Sequence, residues 1–321
     1  MSRDGTLLSG TLAAVVGAAL FGMLGPLARF GAEAGVTGVA FTAWRATLGM
    51  ISLLVLISAR HGIGSSVAAI RSLPRRGRLS LAIGAVMGLT LNASIFTAFG
   101  LVPIALALML FYTYPAGVVV VEVALGHERV TPLRVAALLL SSVGVVLVLA
   151  GGMNPGAGAT LDPLGIALGL VAAASQVVFI SVSRSGYASV PADAATVVIL
   201  GTSMVGASLL AILVGQGGGL VAPFGSPAPW PYLLLAGVVA AGVSSLLFLM
   251  AIRKIGGTRT GILMLLEPVV GVALAGLWLG EAITPVQALG GALVLAGALV
   301  LQMGSEPGHE AVVETAAGPV V

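Results

Sequence analysis

Ten apolar runs, each long enough to cross a membrane, dominate this sequence. They extend approximately over Leu7 to Leu27, Thr37 to Ile57, Leu79 to Phe99, Pro103 to Val123 and Leu133 to Gly151, then Leu164 to Val182, Ala194 to Val214, Tyr232 to Ile252, Thr258 to Leu279 and Pro285 to Met303. A transmembrane helix needs about 20 such residues. The runs are continuous rather than alternating and far exceed the roughly ten residues of a barrel strand, so helices are predicted. Only 8% of the 321 side chains are charged and 58% are hydrophobic. A soluble domain carries about 25% charge, so this chain cannot cover a water-soluble globule. The absence of cysteine excludes disulfides, thiolate metal sites and cysteine nucleophiles. The expected fold class is all-α, a polytopic membrane protein of ten transmembrane helices. The first run is too long for a signal-peptide core, and no small-residue cleavage site follows it.

Charge gives the orientation. With the N-terminus in the cytoplasm, twelve of the fourteen Lys and Arg residues face inward: Arg3, Arg60, Arg71, Arg75, Arg76, Arg78, Arg129, Arg134, Arg184, Arg253, Lys254 and Arg259. Arg29 stands at the outer end of span 1 and Arg45 lies inside span 2. The outer segments Met153 to Asp162 and Gly215 to Pro231 hold neither Lys nor Arg. The positive-inside rule therefore predicts an integral cell (inner) membrane protein with both termini cytoplasmic. The basic residues are spread over short loops without aromatic interleaving, so nucleic acid is not an expected partner.

The second half repeats the first. At a spacing of 153, Pro115 matches Pro268, Glu128 matches Glu281, Thr131-Pro132 matches Thr284-Pro285, Gly144 matches Gly297 and Gly151 matches Gly304. At 155, Gly10, Arg29 and Gly31 match Gly165, Arg184 and Gly186. Residues 7–151 and 164–303 are thus two repeats, followed by a cytoplasmic tail, 304–321, expected to be disordered. Five spans per repeat force opposite orientations, the inverted-repeat design of secondary transporters. Charge agrees: Arg129 and Arg134 become Ala282 and Gln287, whereas Gly100, Leu101 and Leu106 become Arg253, Lys254 and Arg259.

The repeated pattern is a Pro in mid-helix, then Glu and Thr-Pro, then a Gly-containing helix. It reads Leu266-Glu267-Pro268-Val269, Leu279-Gly280-Glu281, Thr284-Pro285 and Gly290, Gly291, Gly297 in one copy, and Thr113-Tyr114-Pro115, Gly126-His127-Glu128-Arg129 and Thr131-Pro132 in the other. It resembles the EamA-type domain of the drug/metabolite transporter superfamily over nearly the whole chain. The resemblance implies ten helices in two inverted five-helix repeats around a central cavity, and a small-metabolite carrier, often an exporter. Span 6 departs from it, with Ser175, Gln176 and Val177 where such proteins often place an aromatic.

Ionisable side chains inside a membrane demand a reason, costing roughly 3 kcal/mol near its centre. Arg45, Glu122 and Glu267 qualify. Glu122 falls about 28 Å along span 4, at the cytoplasmic interface, as a snorkelling or loop-pairing carboxylate. Glu267 lies about 13 Å from the inner edge, close to the midplane, and precedes Pro268, which leaves the Met264 carbonyl free. It is either locked in an interhelical pair or serves substrate contact and proton coupling. Arg45, about 12 Å from the outer edge, is too deep for easy snorkelling. It either bridges to Glu267 or binds a carboxylate beside Trp44.

Tyr114 is the repeat partner of Glu267, expected to face it across the cavity, and Tyr112 lies beside it. Asn92 and Gln176 are isolated amides, either interhelical glue or cavity lining. Phe21, Phe179 and the Ser244-Ser245 pair are further cavity candidates, and Pro115 and Pro268 are candidate hinges. Thr284, Pro285 and Gln287 form a capping box at the start of span 10, with Glu128 and Glu281 as loop carboxylates.

His61, His127 and His309 all fall in loops or the tail, so no histidine can activate a serine or complete a metal site at the midplane. No phosphate-binding Gly-rich loop ending in Lys is present, and no cofactor is expected. The expected function is a secondary transporter, not an enzyme. It moves a small metabolite, an amino acid or related compound, by alternating access in the export direction, with protons as a candidate coupling ion. The alternatives are export of drugs or cationic compounds, or passive facilitation. Membrane lipid and the substrate are the expected partners, and one chain suffices for the bundle.

Overall fold

The computed structural model describes residues 3–36, 38–98, 101–102, 104–128, 130–151, 162–280 and 282–303. Gly100, Arg129, Glu281, Gly304, His309, most of the Met153 to Asp162 loop and the tail 304–321 lie outside the described residues. The first half contains α1 (Arg3–Gly22), α2 (Leu24–Glu33), α3 (Gly38–Arg60), α4 (Ile63–Arg71), α5 (Arg75–Ala98), α6 (Ile104–Phe111), α7 (Tyr114–Ala124) and α8 (Pro132–Gly151). The second contains α9 (Pro163–Ser185), α10 (Ala192–Leu213), α11 (Gly218–Gly225) and α12 (Trp230–Leu234). A π-helical segment (Leu235–Val243) then continues into α13 (Ser244–Ile255), followed by α14 (Gly257–Met264), α15 (Leu266–Leu279) and α16 (Pro285–Met303).

The chain is a helical, polytopic membrane protein. Among the described residues nine helical spans are long and apolar enough to cross a membrane. The tenth apolar stretch, Pro285–Leu301, is shorter than these, and its helix lies along α8. Span 1 is longer than its apolar run indicates and reaches Glu33. It breaks at Met23, whose N–H bonds to Leu20 O, three residues back, at 3.2 Å. The break falls one turn before Pro26, which cannot donate to the ladder.

Prolines break spans 4 and 9 in the same way. α6 ends at Phe111 and α7 begins at Tyr114 with Pro115 in its first turn, while α14 ends at Met264 and α15 begins at Leu266 ahead of Pro268. The half-helices α6 and α14 correspond residue for residue at the 153 spacing. Elsewhere the ends are capped as the sequence predicts. Thr284 N–H donates to Gln287 Oε1 at 2.9 Å and Gln287 N–H to Thr284 Oγ1 at 3.2 Å, the reciprocal capping box. Gly280, in the left-handed region at φ 69°, ends α15.

Helix pairing obeys a pseudo-twofold. α3 packs on its own repeat equivalent α10, and α8 on its equivalent α16. α1 packs on α13 as α9 packs on α5, and α1 on α15 as α9 on α7. The contacts follow it to single residues. A Cβ on Gly10 would meet Lys254 and Ile255, and one on Gly165 would meet their equivalents Leu101 and Val102. A Cβ on Gly144 would meet Gly290 and Val294, and one on Gly297 their equivalents Ala137 and Ser141. Along α8 and α16 the partners run in opposite directions, Ser141 facing Gly297 and Gly151 facing Gln287. Equivalent helices are thus antiparallel, the signature of inverted repeats.

Candidate functional site

The broken helices bring together most of the polar residues that the sequence places at depth. Glu267, in the first turn of α15, is half-buried. The Tyr112 hydroxyl, in the break between α6 and α7, is close enough to its carboxylate to interact with it. Tyr114 and Arg45 are close enough to Glu267 to interact electrostatically. Arg45, only 9% exposed, donates from Nη2 to Asn92 Oδ1 on α5. Asn92 in turn donates from Nδ2 to Gly88 O at 2.7 Å, which fixes the orientation of its amide. One guanidinium, one carboxylate, one amide and two phenols therefore converge from spans 2, 3, 4 and 9.

Aromatic rings form the wall. Phe111 lies 5.1 Å, centroid to centroid, from both Tyr112 and Tyr114. Phe179 of α9 stacks on Phe248 of α13 at 6.1 Å, and Phe21 of α1 meets Phe248 edge-on at 6.2 Å. Tyr112, Tyr114, Phe179 and Phe248 belong to one buried cluster with Met264, Leu265 and Leu266, and the partly buried Phe21 and Phe111 pack against it. A Cβ on Gly261 would stand 3.6 Å from Tyr114 Cε2 and 3.7 Å from Pro115 Cα, so the two proline breaks adjoin.

The remaining candidates sit elsewhere. Trp44 points away from Arg45 into an aromatic group with Trp230 and Phe224, at 5.4 and 5.6 Å, beside α11 and α12. Ser244 is fully buried, and its hydroxyl is spent on its own helix, donating to Ala240 O at 2.7 Å. Gln176 is half-buried on α9, three residues before Phe179.

At the Arg-rich end, Glu122 is wholly buried rather than snorkelling to water, because Arg184 of α9 binds its carboxylate. Arg184 also lies 3.1 Å from Glu128, and Glu128 3.3 Å from Arg134. Nearby, Arg253 donates to Val190 O at 2.8 Å and lies over the Tyr187 ring. Burial pushes the Tyr187 phenol up from its ordinary value, against the opposing effects of Ser183 and Arg253.

Sequence reasoning missed Phe111, Phe248 and this ion cluster. The signal for Phe248 is its place four residues after Ser244, one helical turn along the same face. The signal for the cluster is that Glu122 has no acidic counterpart, since residue 275 is Ala.

The halves of spans 4 and 9 are unequally closed. At the Arg-rich end α14 packs on α7, whereas at the opposite end their equivalents α6 and α15 make no comparable contact. Seven of the eight residues of α14 are buried, from Gly257 to Met264 with Arg259 excepted. Among the described side chains of the equivalent α6, Ala107 alone is buried. Packing is therefore closer beneath Glu267 on the arginine side than above it.

Comparison with known proteins agrees with this architecture. An archaeal protein of Archaeoglobus fulgidus described as an uncharacterized transporter is 29% identical over 231 residues, covering 72% of this chain and 78% of that protein. A crystal structure 24% identical in sequence superposes with a TM-score of 0.74, covering 94% of this chain and 98% of its own, and supports the fold. The pattern of the EamA-like transporter family matches twice, at residues 8–150 and 163–303. With both matches coinciding with the two structural repeats, the chain belongs to the EamA-like transporter family of the drug/metabolite transporter superfamily and is an integral, multi-pass membrane transporter.

Proposed function

We propose that the protein is a secondary carrier that exports a small metabolite, an amino acid or a related zwitterion, by alternating access from the cytoplasm. The observation that carries this reading is the unequal closure of α6/α15 and α14/α7 on either side of Glu267. Two arrangements related by the pseudo-twofold would exchange the open and closed ends, and access would alternate around a fixed central site. In this reading Pro115 and Pro268 are the hinges. Arg45, held by Asn92, receives the substrate carboxylate, while Glu267, with Tyr112 and Tyr114, receives the ammonium group. Phe179 and Gln176 border the apolar portion.

A carboxylate in the path also offers a proton site, so export would be driven by proton entry through Glu267. Uptake into inside-out vesicles, with and without an imposed pH gradient, tests this. Gradient-dependent accumulation that Glu267→Gln abolishes is expected, and equal accumulation by that variant overturns the coupling. A thermal-shift screen of the purified protein tests the substrate class. Stabilisation by aromatic cations and by no amino acid would favour drug export instead.

A further inference from the structure

The Arg-rich end is fastened by an ion cluster that crosses between the repeats. Glu122, at the end of α7, is fully buried. Its Oε2 accepts from Arg184 Nη1 and lies 3.4 Å from His127 Nδ1. Arg184 Nη1 also donates to Glu128 Oε1 at 3.1 Å, and Arg134 Nη1 to Glu128 Oε2 at 3.3 Å. Glu122, His127, Glu128 and Arg134 belong to the first repeat and Arg184 to the second. The other Glu122 oxygen, Oε1, has no hydrogen-bond partner and faces the α13–α14 turn, where a Cβ on Gly257 would stand 3.5 Å away. The cluster thus joins α7, α8 and α9 directly over the point where α14 packs on α7.

The pseudo-twofold provides an internal control. At the opposite end Ala275 occupies the place of Glu122 and Gln287 that of Arg134, while Glu281, in the place of Glu128, lies outside the described residues. Arg29, equivalent to Arg184, is exposed and lies 4.0 Å from Glu33 of its own helix. That end therefore has no carboxylate at the position of Glu122. The same asymmetry is seen one turn deeper. Val118 is fully buried, while its equivalent Gly271 is half-buried.

We infer that Glu122, Arg184 and Glu128 form the gate of the Arg-rich end, and that the buried carboxylate of Glu122, which Ala275 replaces in the other repeat, biases the resting protein toward closure at this end. The inference rests on the carrier reading, and it specifies which residues set the balance between the two states. Separating the repeats there takes a buried carboxylate from its guanidinium partner, a costly rupture unless both become hydrated together. Neutralising one member removes that attraction and lets the end part.

Accessibility labelling reads the gate without any need for transport. The chain has no native cysteine, so single cysteines report cleanly. Val118→Cys lies beneath the cluster and Gly271→Cys at the equivalent position toward the other face. In vesicles, a membrane-impermeant maleimide is applied to the face that carries the arginine loops. In the otherwise native chain Val118→Cys is expected to be protected, and adding Glu122→Gln or Arg184→Gln should raise its labelling about tenfold, equivalent to about 1.4 kcal/mol. The exchange Glu122→Arg with Arg184→Glu should restore protection, and Arg184→Lys should retain part of it.

Gly271→Cys, labelled from the other face, should lose reactivity in the neutralised variants as the population shifts. Unchanged labelling of Val118→Cys in every variant, in protein that elutes as a single species, would overturn the gate. If the neutralised chains do not fold, comparison of the native background with Arg184→Lys alone decides, and equal protection there overturns it as well. Failure of transport with intact gate behaviour would instead count against the carrier reading.

Discussion

The Tyr112 hydroxyl lies close enough to the carboxylate of Glu267 to interact with it, so the break in span 4 adjoins the break in span 9. The two residues are not repeat equivalents. Tyr114 is the counterpart of Glu267, and Leu265 is the counterpart of Tyr112. Their approach is therefore a departure from the pseudo-twofold at its centre, and only one of the two breaks contributes a carboxylate. A site built this way has one acidic side, as binding of an ammonium group or a proton requires.

Tyr112→Phe should keep the ring packing against Phe111 and remove only the hydroxyl beside Glu267, changing stability by no more than about 1 kcal/mol. Its expected effect on transport is a higher substrate KM with gradient dependence retained. Glu267→Gln should lose gradient dependence altogether. Vesicle uptake at several pH values separates the two, and an unchanged profile in both variants would refute a role for the pair.

Arg45 is the clearest test of whether the buried charges hold the fold or the substrate. It is nearly enclosed, contacts Asn92 and is near Glu267. Removing one member of a buried pair typically costs about 3–5 kcal/mol, because the other is stranded. Arg45→Gln should therefore lower thermal stability in detergent markedly. Arg45→Gln with Glu267→Gln should recover much of the loss while remaining inactive. An additive loss in the double variant would show that the two charges are independent.

The helical runs and the repeat were legible because each rests on a local property of the chain. Apolar length sets the spans, and Gly144, Pro115 and their partners recur at a fixed spacing. The breaks at Tyr112–Thr113 and at Leu265 follow from proline chemistry alone. What depends on packing was not legible. Trp44 adjoins Arg45 in sequence, yet successive helical side chains diverge by about 100°, and its ring joins Trp230 instead. Ser244 has the polarity of a lining residue, but its hydroxyl closes on the preceding turn, where the π-helical segment ends. The burial of Glu122 depended on Arg184, which is 62 residues away in sequence.

Orientation can be tested directly. If the arginine loops face the cytoplasm, Ser72→Cys, exposed at the end of α4, should react with an impermeant thiol reagent only after the cytoplasmic face is opened to it. Ser226→Cys, after α11 on the opposite side, should react in intact cells. The reverse pattern would invert the assignment and with it the direction of the proposed export.

The tightest contact between the repeats should also be the least tolerant. A Cβ on Gly144 would stand 2.6 Å from Gly290 O and 2.8 Å from Val294 N, and one on Gly297 2.8 Å from Ala137 O. These neighbours are backbone atoms of the partner helix, so no side chain can rotate away. α8 and α16 would have to separate along the axis that relates the repeats. Gly144→Ala and Gly297→Ala should each cost about 1–3 kcal/mol through overpacking. Gly64, in α4, has nothing within 4 Å of an added Cβ and no proline after it, so Gly64→Ala should instead stabilise its helix by up to about 1 kcal/mol. Thermal unfolding of the three variants in one detergent gives the comparison. Because Gly144 and Gly297 are equivalent, their losses should be similar, and a large loss at one with none at the other would mean that the pair does not share the load across the pseudo-twofold.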